Sequence, residues 1–439
     1  MTPMIDTLIF ARWIVPIRPA HTCLEHHALA IHQGRIVDLL PADLARESYT
    51  ATQVIERPQG VLMPGLINAH GHAAMTLFRG LADDLPLMDW LNHHIWPAEG
   101  RWVSESFVRA GTRLAVAEML RGGTTTFSDM YFYPEVVADV AASVSMRCQT
   151  AFPVLDFPTP WGAGPDDYLR KGLALIDEYR GSQLVSIAFG PHAPYTVSDD
   201  PLRRIVTLAE QTGRPIQIHL HETAFEVESA LQQTGLRPLV RLHQLGLLGP
   251  QTQCVHMTQL NTSDIEILTQ TNAHVVHCPQ SNLKLASGFC PIHKLQQAGV
   301  NVALGTDGAA SNNDLDLWDE MRTAALLAKA VAGDAQATPA FYALEMATLN
   351  GAKALGLEDQ TGSLEPGKFA DCIVVDLSAL HAQPLYQAPS HLVYATHAHQ
   401  VSDVWVQGKR LLCEGILQGL SSEALIEEAC HWAEKIRQS

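Results

Sequence analysis

Apolar residues run through this chain in two styles. In the middle, short apolar stretches alternate with amphipathic ones. The apolar stretches are "VLMPGLINAHGH" (61–72), "TTTFSDMYF" (124–132), "RCQTAFPVLDF" (147–157), "LVSIAFGPHAP" (184–194), "PIQIHLHET" (215–223), "TQCVHMTQL" (252–260), "AHVVHCPQSN" (273–282) and "VNVALGTDG" (300–308). Such runs predict strands buried on both faces. Segments with helical spacing, such as 104–123 and 201–213, lie between them. Eight strands alternating with helices over about three hundred residues predict an α/β fold, a (β/α)8 TIM-type barrel. An open doubly wound sheet competes, but no G-x-G-x-x-G follows an early strand to support it.

The two ends of the chain read differently. "DTLIFARWIVPI" and "HALAIHQGRIVDLL" are β-rich, the second broken by a Gln-Gly turn. After residue 360, "GSLEPGKFADCIVVDL" and "VSDVWVQGKRLLCEG" return to turn-flanked strands, and 421–438 has the spacing of a terminal amphipathic helix. The expected organisation is therefore residues 1–60 and 361–439 forming one small β-sandwich domain, with the barrel over 61–360 between them.

Composition narrows the class. Hydrophobic residues make up 47% and charged residues 17% of the 439, as in a globular protein and unlike a disordered one. A formal charge of −17 argues against a nucleic-acid partner, which calls for clustered Lys and Arg. The eight cysteines are scattered without a C-x-x-C, which points to reduced thiols and a cytoplasmic location. The apolar stretch at the start is broken by Asp6 and Arg12, so neither a leader nor a membrane anchor is expected.

Histidine carries the chemistry. With 21 histidines in 439 residues, about one His-x-His pair arises by chance, and the chain has three, at 70/72, 219/221 and 397/399. Residues i and i+2 of a strand share a face, so either of the first two pairs could aim both rings at one point. Polar residues recur where the predicted strands end: His70, His72, Asp129, His192, His219, Glu222, His256, His277 and Asp307. That end of a barrel holds the active site. A lone strand-end histidine is usually a hydrogen-bonded core residue, and the repetition along the barrel is what favours a shared site. Imidazole and carboxylate donors suit a divalent transition metal, with zinc the default and iron the alternative. The G-x-S-x-G elbow, the H-E-x-x-H pattern and the H-x-E…P-C-x-x-C signature are all absent.

"PGLINAHGH", "IHLHET", "CVHM", "HCPQSNLKL" and "GTDGAASNN", in this order, resemble the amidohydrolase superfamily, and "GSLEPGKFADCIVV" resembles its return into a small β domain. Within it, "FRGLADDLPLMDWLNHHIWPAEG", "DMYF" and "GPHAPYT" resemble the 5′-methylthioadenosine/S-adenosylhomocysteine deaminases. The resemblance implies His70, His72, His219 and Asp307 as ligands of one metal ion. It chooses His219 over His221, which strand geometry leaves equivalent. It makes Glu222 the proton shuttle and His256 the group orienting the attacking oxygen, with Asp307 and His256 accepting the hydroxide's proton. Glu99 would bind the ribose 2′ and 3′ hydroxyls, and His192, Glu222 and Asp307 would contact the nucleoside. No lysine stands at the fourth strand's end, so a carboxylated lysine bridging two metals is not expected.

The implied reaction is hydrolytic deamination at C6 of an adenine nucleoside: 5′-methylthioadenosine first, then S-adenosylhomocysteine or adenosine. The resemblance places carboxylate-clamping arginines after the third strand in members that accept the homocysteine tail. Here that segment, "MRCQTAFPVLDFPTPWGAG", offers only Arg147 at its start, so the apolar methylthio tail is the expected preference. The alternatives are another heterocycle (guanine, a pterin or a chlorinated triazine) and, less favoured, an inactive scaffold. Neither a nucleic acid nor a membrane is an expected partner, and a homo-oligomer is compatible with the sequence. His93–His94 are expected to flank a helix and not to bind metal, and His397/His399 to be surface or packing residues, while the roles of Asp129, His277 and Asn282 stay open.

Overall fold

A computed structural model describes residues 3–438. Eight strands stand side by side in chain order: Leu66–Asn68, Thr124–Asp129, Arg147–Val154, Val185–Pro191, Ile216–Leu220, Thr252–His256, His274–His277 and Val302–Leu304. Every neighbouring pair is parallel. The ring closes between the last strand and the first. There the Ala69 amide donates to the Leu304 carbonyl (2.9 Å) and the Asp307 amide to the His70 carbonyl (3.1 Å). Gly71 forms a parallel bridge with Asp307 just beyond. Closure itself therefore sets the His-x-His segment beside Asp307, although His72 and Asp307 stand 235 positions apart in the chain.

Every residue of the second and third barrel strands is buried, because helices cover the outer face and side chains fill the interior. The helix Glu105–Arg121 shows how the shell holds the site. Ser104 caps its N-terminus by accepting from the Phe107 amide (3.3 Å). Its Gly111 packs so closely on the turn Ala73–Phe78 that an added Cβ would lie 2.4 Å from the Ala74 carbonyl oxygen. The segment following His72 is thus clamped from outside.

The chain ends build a second eight-stranded sheet. Its N-terminal strands are Met4–Ile14, Leu24–His32, Arg35–Pro41 and Thr50–Pro64. The C-terminal ones are Cys372–Asp376, Val401–Val406, Lys409–Cys413 and Ile416–Leu417. The two sets join where Thr50–Pro64 runs antiparallel to Cys372–Asp376. A buried ion pair from Arg147 Nε to Asp371 Oδ2 (2.9 Å) ties the base of the third barrel strand to this sheet. The terminal helix forms over Ser422–Arg437. No helix among the described residues is long and apolar enough to cross a membrane.

One strand differs from expectation. The apolar run 61–72 is not a single barrel strand: Val61–Pro64 belongs to the small sheet, and the barrel starts at Leu66. Gly65 makes the break, since a Cβ there would lie 2.1 Å from Thr125 side-chain atoms. His70 and His72 consequently sit in the loop beyond the strand and not on its face.

Candidate metal centre and substrate pocket

His70, His72 and His219 each offer a ring nitrogen, and these three atoms lie within 4.8 Å of one another. His219 Nε2 is 3.3 Å from His70 Nε2. Asp307 Oδ1 completes the group, 3.1 Å from His72 Nε2 and 3.5 Å from His70 Nε2. On the far side of each ring, Nδ1 meets an oxygen: Gln217 Oε1 for His70 (2.8 Å), the Met130 carbonyl for His72 (2.6 Å) and the His192 carbonyl for His219 (2.7 Å). Those oxygens can only accept, so each Nδ1 carries the proton and the Nε2 lone pairs face one another. Bare lone pairs at 3.3 Å repel, and a cation between them removes the repulsion. Two ligands, each about 2.0–2.1 Å from a tetrahedral zinc, stand roughly 3.3–3.4 Å apart. The donor set fits a divalent metal.

The electrostatics agree. Burial lowers His70 to about 4 and His219 well below the ordinary imidazole value, leaving both neutral, as ligands must be. His72 is raised to about 9: burial opposes its charge, but the Asp307 carboxylate outweighs it. Asp307 in turn is held well below the carboxylate range by His70 and His72 despite its burial. Asp307 Oδ2 points away and accepts from Ser281 Oγ (2.6 Å) and Ser311 Oγ (2.9 Å), which fixes the carboxylate's rotation.

Beside this cluster are two more groups. Glu222 Oε2 lies 3.6 Å from His256 Nε2, and Ser287 Oγ donates to its Oε1 at 3.3 Å. Burial, with help from Asp307, pushes the Glu222 carboxyl up to about 8, so it holds a proton at neutral pH. The Asn282 amide nitrogen lies 3.0 Å from His256 Nδ1 and, as donor there, leaves the His256 ring proton on Nε2, facing Glu222. The Glu226 carboxylate clamps the backbone at this point, accepting from the His221 amide (2.9 Å) and the Glu222 amide (2.8 Å). Non-glycine residues in left-handed backbone gather here: His221 (φ 52°), His256 (φ 77°), Met257 (φ 53°) and Asp307 (φ 61°). Strain of this kind persists only where the surroundings over-determine it, and it concentrates at working sites.

The structure separates His219 from His221. The strand ends at Leu220, and the positive φ at His221 swings its ring away from the cluster. His221 Nδ1 bonds the Gln259 carbonyl (3.1 Å) and its Nε2 accepts from the Leu239 amide (3.1 Å). Asp129 also stays outside the cluster: it accepts from the Ala73 amide (2.6 Å), holding the loop after His72. His277 is fully buried with both ring nitrogens unpartnered, and Asn282 serves His256. His397 and His399 are exposed, as expected; His93 and His94 are exposed too, but they lie within the helical turn Leu91–Ile95 and do not flank a helix.

A pocket opens from the cluster to the surface, enclosing about 870 Å³ including its mouth. Its polar end carries His72, His219, Glu222, His256 and Asp307, with His192 alongside. The rest is apolar, with Trp90, Leu91, Ile95 and Trp96 on one side and Pro153, Leu155 and Phe157 on the other. Glu99 reaches it from the helix Trp96–Trp102 and is buried. Burial pushes its carboxyl up to about 7, with the neighbouring Tyr131 hydroxyl pulling the other way. Among the described residues no Lys or Arg lines this pocket; Arg147 lies at the opposite end of the third strand, paired with Asp371. Sequence reasoning missed Gln217, the two serines on Asp307, Glu226 and Tyr131. None of these sits in a metal-ligand spacing, so only their partners give them away.

Comparisons with known proteins fit this arrangement. Residues 61–411 match the amidohydrolase family. A protein of Saccharophagus degradans named 5-methylthioadenosine/S-adenosylhomocysteine deaminase is 57% identical over 432 residues, spanning 98% of this chain and 97% of that one. A crystal structure from Xanthomonas campestris, described as an adenosine deaminase with bound zinc, superposes with a TM-score of 0.99 at 49% identity and full coverage of both chains. An atrazine chlorohydrolase of Arthrobacter aurescens, complexed with zinc, shares the fold at a TM-score of 0.91 and 22% identity, covering 97% of this chain and all of that one.

Proposed function

The chain belongs to the amidohydrolase family and, within it, to the 5-methylthioadenosine/S-adenosylhomocysteine deaminases; from that premise we propose that it replaces the C6 amino group of 5′-methylthioadenosine by oxygen, releasing ammonia and 5′-methylthioinosine. The reading is carried by one observation. Three imidazole nitrogens and a carboxylate converge at the barrel mouth, with a protonated Glu222 beside them and an apolar pocket in front.

His70, His72, His219 and Asp307 would hold one divalent cation, zinc in preference to iron for this nitrogen-rich set. When bound, such an ion brings the pKa of water from 15.7 to about 7 and so supplies a nucleophile for C6 at neutral pH. Glu222 donates its proton to N1, which breaks the ring's aromaticity and makes C6 electrophilic. The His256 Nε2–H steadies the incoming oxygen and the charge that grows on it. Asp307 takes the proton of the hydroxyl added at C6 and passes it to the departing nitrogen, and the proton given up when the next water ionises restores Glu222. The C6–N bond then breaks, oxygen remains on C6, and ammonia leaves. His192 contacts the nucleoside from the fourth strand. Glu99, on the far wall, accepts bonds from the ribose hydroxyls.

The apolar wall favours a methylthio group. The homocysteine tail would carry an ammonium and a carboxylate into a pocket without a Lys or Arg to meet the latter, and unpaired charge is costly to bury. A panel of 5′-methylthioadenosine, S-adenosylhomocysteine, adenosine and guanine, assayed for ammonia, tests both levels of the reading. The expected kcat/KM is highest for 5′-methylthioadenosine and at least ~10-fold lower for S-adenosylhomocysteine, a difference of about 1.4 kcal/mol. Equal values would remove the preference for the apolar tail, and guanine turned over fastest would remove the nucleoside assignment.

Glu99 separates nucleosides from free bases. Glu99→Gln is expected to raise KM for 5′-methylthioadenosine roughly 10–100-fold with kcat within about 3-fold, since hydrogen bonds to a charged group contribute ~1.5–3 kcal/mol. Steady-state kinetics at several substrate concentrations read the split directly. An unchanged KM would take Glu99 out of the ribose site.

A further inference from the structure

Each of the three imidazoles at the centre is oriented through its Nδ1–H, but only one depends on a side chain. Backbone carbonyls orient His72 and His219, whereas His70 relies on Gln217 Oε1. Gln217 does not stand alone. Its Nε2 donates to Gln253 Oε1 (2.6 Å), and Gln253 Nε2 donates to Gln149 Oε1 (2.8 Å) and the Ala354 carbonyl (2.8 Å). Gln149 Nε2 donates to the Leu355 carbonyl (3.1 Å). The three glutamines come from the fifth, sixth and third barrel strands and are 0–1% exposed. They form a continuous amide chain through the barrel interior, from the end of the helix Leu349–Ala354 to the His70 ring.

The direction of this chain is fixed at its lower end. Carbonyls of Ala354 and Leu355 can only accept, so Gln149 and Gln253 must turn their amide nitrogens toward them and their oxygens away. Gln253 Oε1 is then left to accept from Gln217 Nε2, which also faces the Ala69 carbonyl (3.1 Å) and Ser128 Oγ (3.0 Å). Gln217 Oε1 is the end of the run and can do nothing but accept from His70. We infer that Gln149, Gln253 and Gln217 act as a one-way relay that places the His70 proton on Nδ1 and the lone pair on Nε2, and so sets the affinity of the centre for its cation. Gln217 and Gln253 are positioning residues: they touch neither substrate nor the reacting atoms. The inference rests on the ligand role proposed above for His70.

A side chain of similar length without an acceptor removes the relay while filling its space. Gln217→Met, Gln217→Glu and Gln253→Met can be prepared free of metal and titrated with zinc against a competing chelator. Zinc affinity should fall 10–100-fold in Gln217→Met, the usual effect of deleting a group behind a ligand. Gln217→Glu keeps an acceptor for His70 but sets its second oxygen against the Ala69 carbonyl and Gln253 Oε1, so its zinc affinity should fall between that of the parent and that of Gln217→Met. Affinity should fall in the same direction in Gln253→Met, which contacts no ligand at all. A role confined to packing would lower the melting temperature of the metal-free protein and leave zinc affinity alone. Parent-like affinity in Gln217→Met or Gln253→Met therefore overturns the relay while the metal site stands. A parent chain that binds no zinc overturns both.

Discussion

Glu222→Gln is expected to lower kcat for ammonia release by about 10²–10⁴-fold with KM within a few-fold, the range that positioned proton transfer contributes. In free energy this is about 3–5 kcal/mol of transition-state stabilisation. The amide has nearly the size of the acid, can still accept from Ser287 Oγ, and leaves the His256 contact in place. It cannot hand a proton to N1. Burial keeps the native carboxyl protonated at neutral pH, so the group begins the cycle in the form the reaction needs. Metal content should be unchanged, because Glu222 is not among the converging donors. A kcat within 10-fold of the parent would move the proton donor elsewhere.

The second large effect concerns a neighbouring pair of histidines with opposite fates. His219→Ala should abolish metal retention and cut activity by more than ~10³-fold, since no group remains to bring water's pKa near 7. His221→Ala, two residues along, should keep its metal. There the loss is structural: the Leu239 amide and the Gln259 carbonyl each lose a partner, which lowers the melting temperature without touching the centre. Metal analysis of the two purified variants beside a thermal melt reads this contrast. Metal retained by His219→Ala, or lost from His221→Ala, would exchange their roles.

The sequence carried the barrel because eight apolar runs separated by helical spacing have few other solutions, and the structure closes them in chain order. It carried the strand-end residues for the same reason. Local geometry was less legible. His70 and His72 converge as the expected pair, but they do so from a loop pinned by the Gly71–Asp307 bridge, not from a shared strand face. The choice of His219 over His221 depends on one backbone angle, which neither residue's identity announces. The glutamine chain was invisible for a different cause. Gln149, Gln217 and Gln253 look like ordinary polar interruptions of buried strands, and their meaning lies in one another, at sequence separations of 104 and 36 residues. Serine partners of Asp307 escape in the same way: a hydroxyl has no spacing to declare it.

Metal titration of the chelated chain, followed by ammonia release from 5′-methylthioadenosine, asks whether one cation at the barrel mouth drives the reaction. No release is expected without metal, then a linear rise that saturates at about one equivalent of zinc per chain and is absent in His219→Ala. Undiminished release from the metal-free chain, or saturation only at two equivalents, would contradict a single cation held by His70, His72, His219 and Asp307.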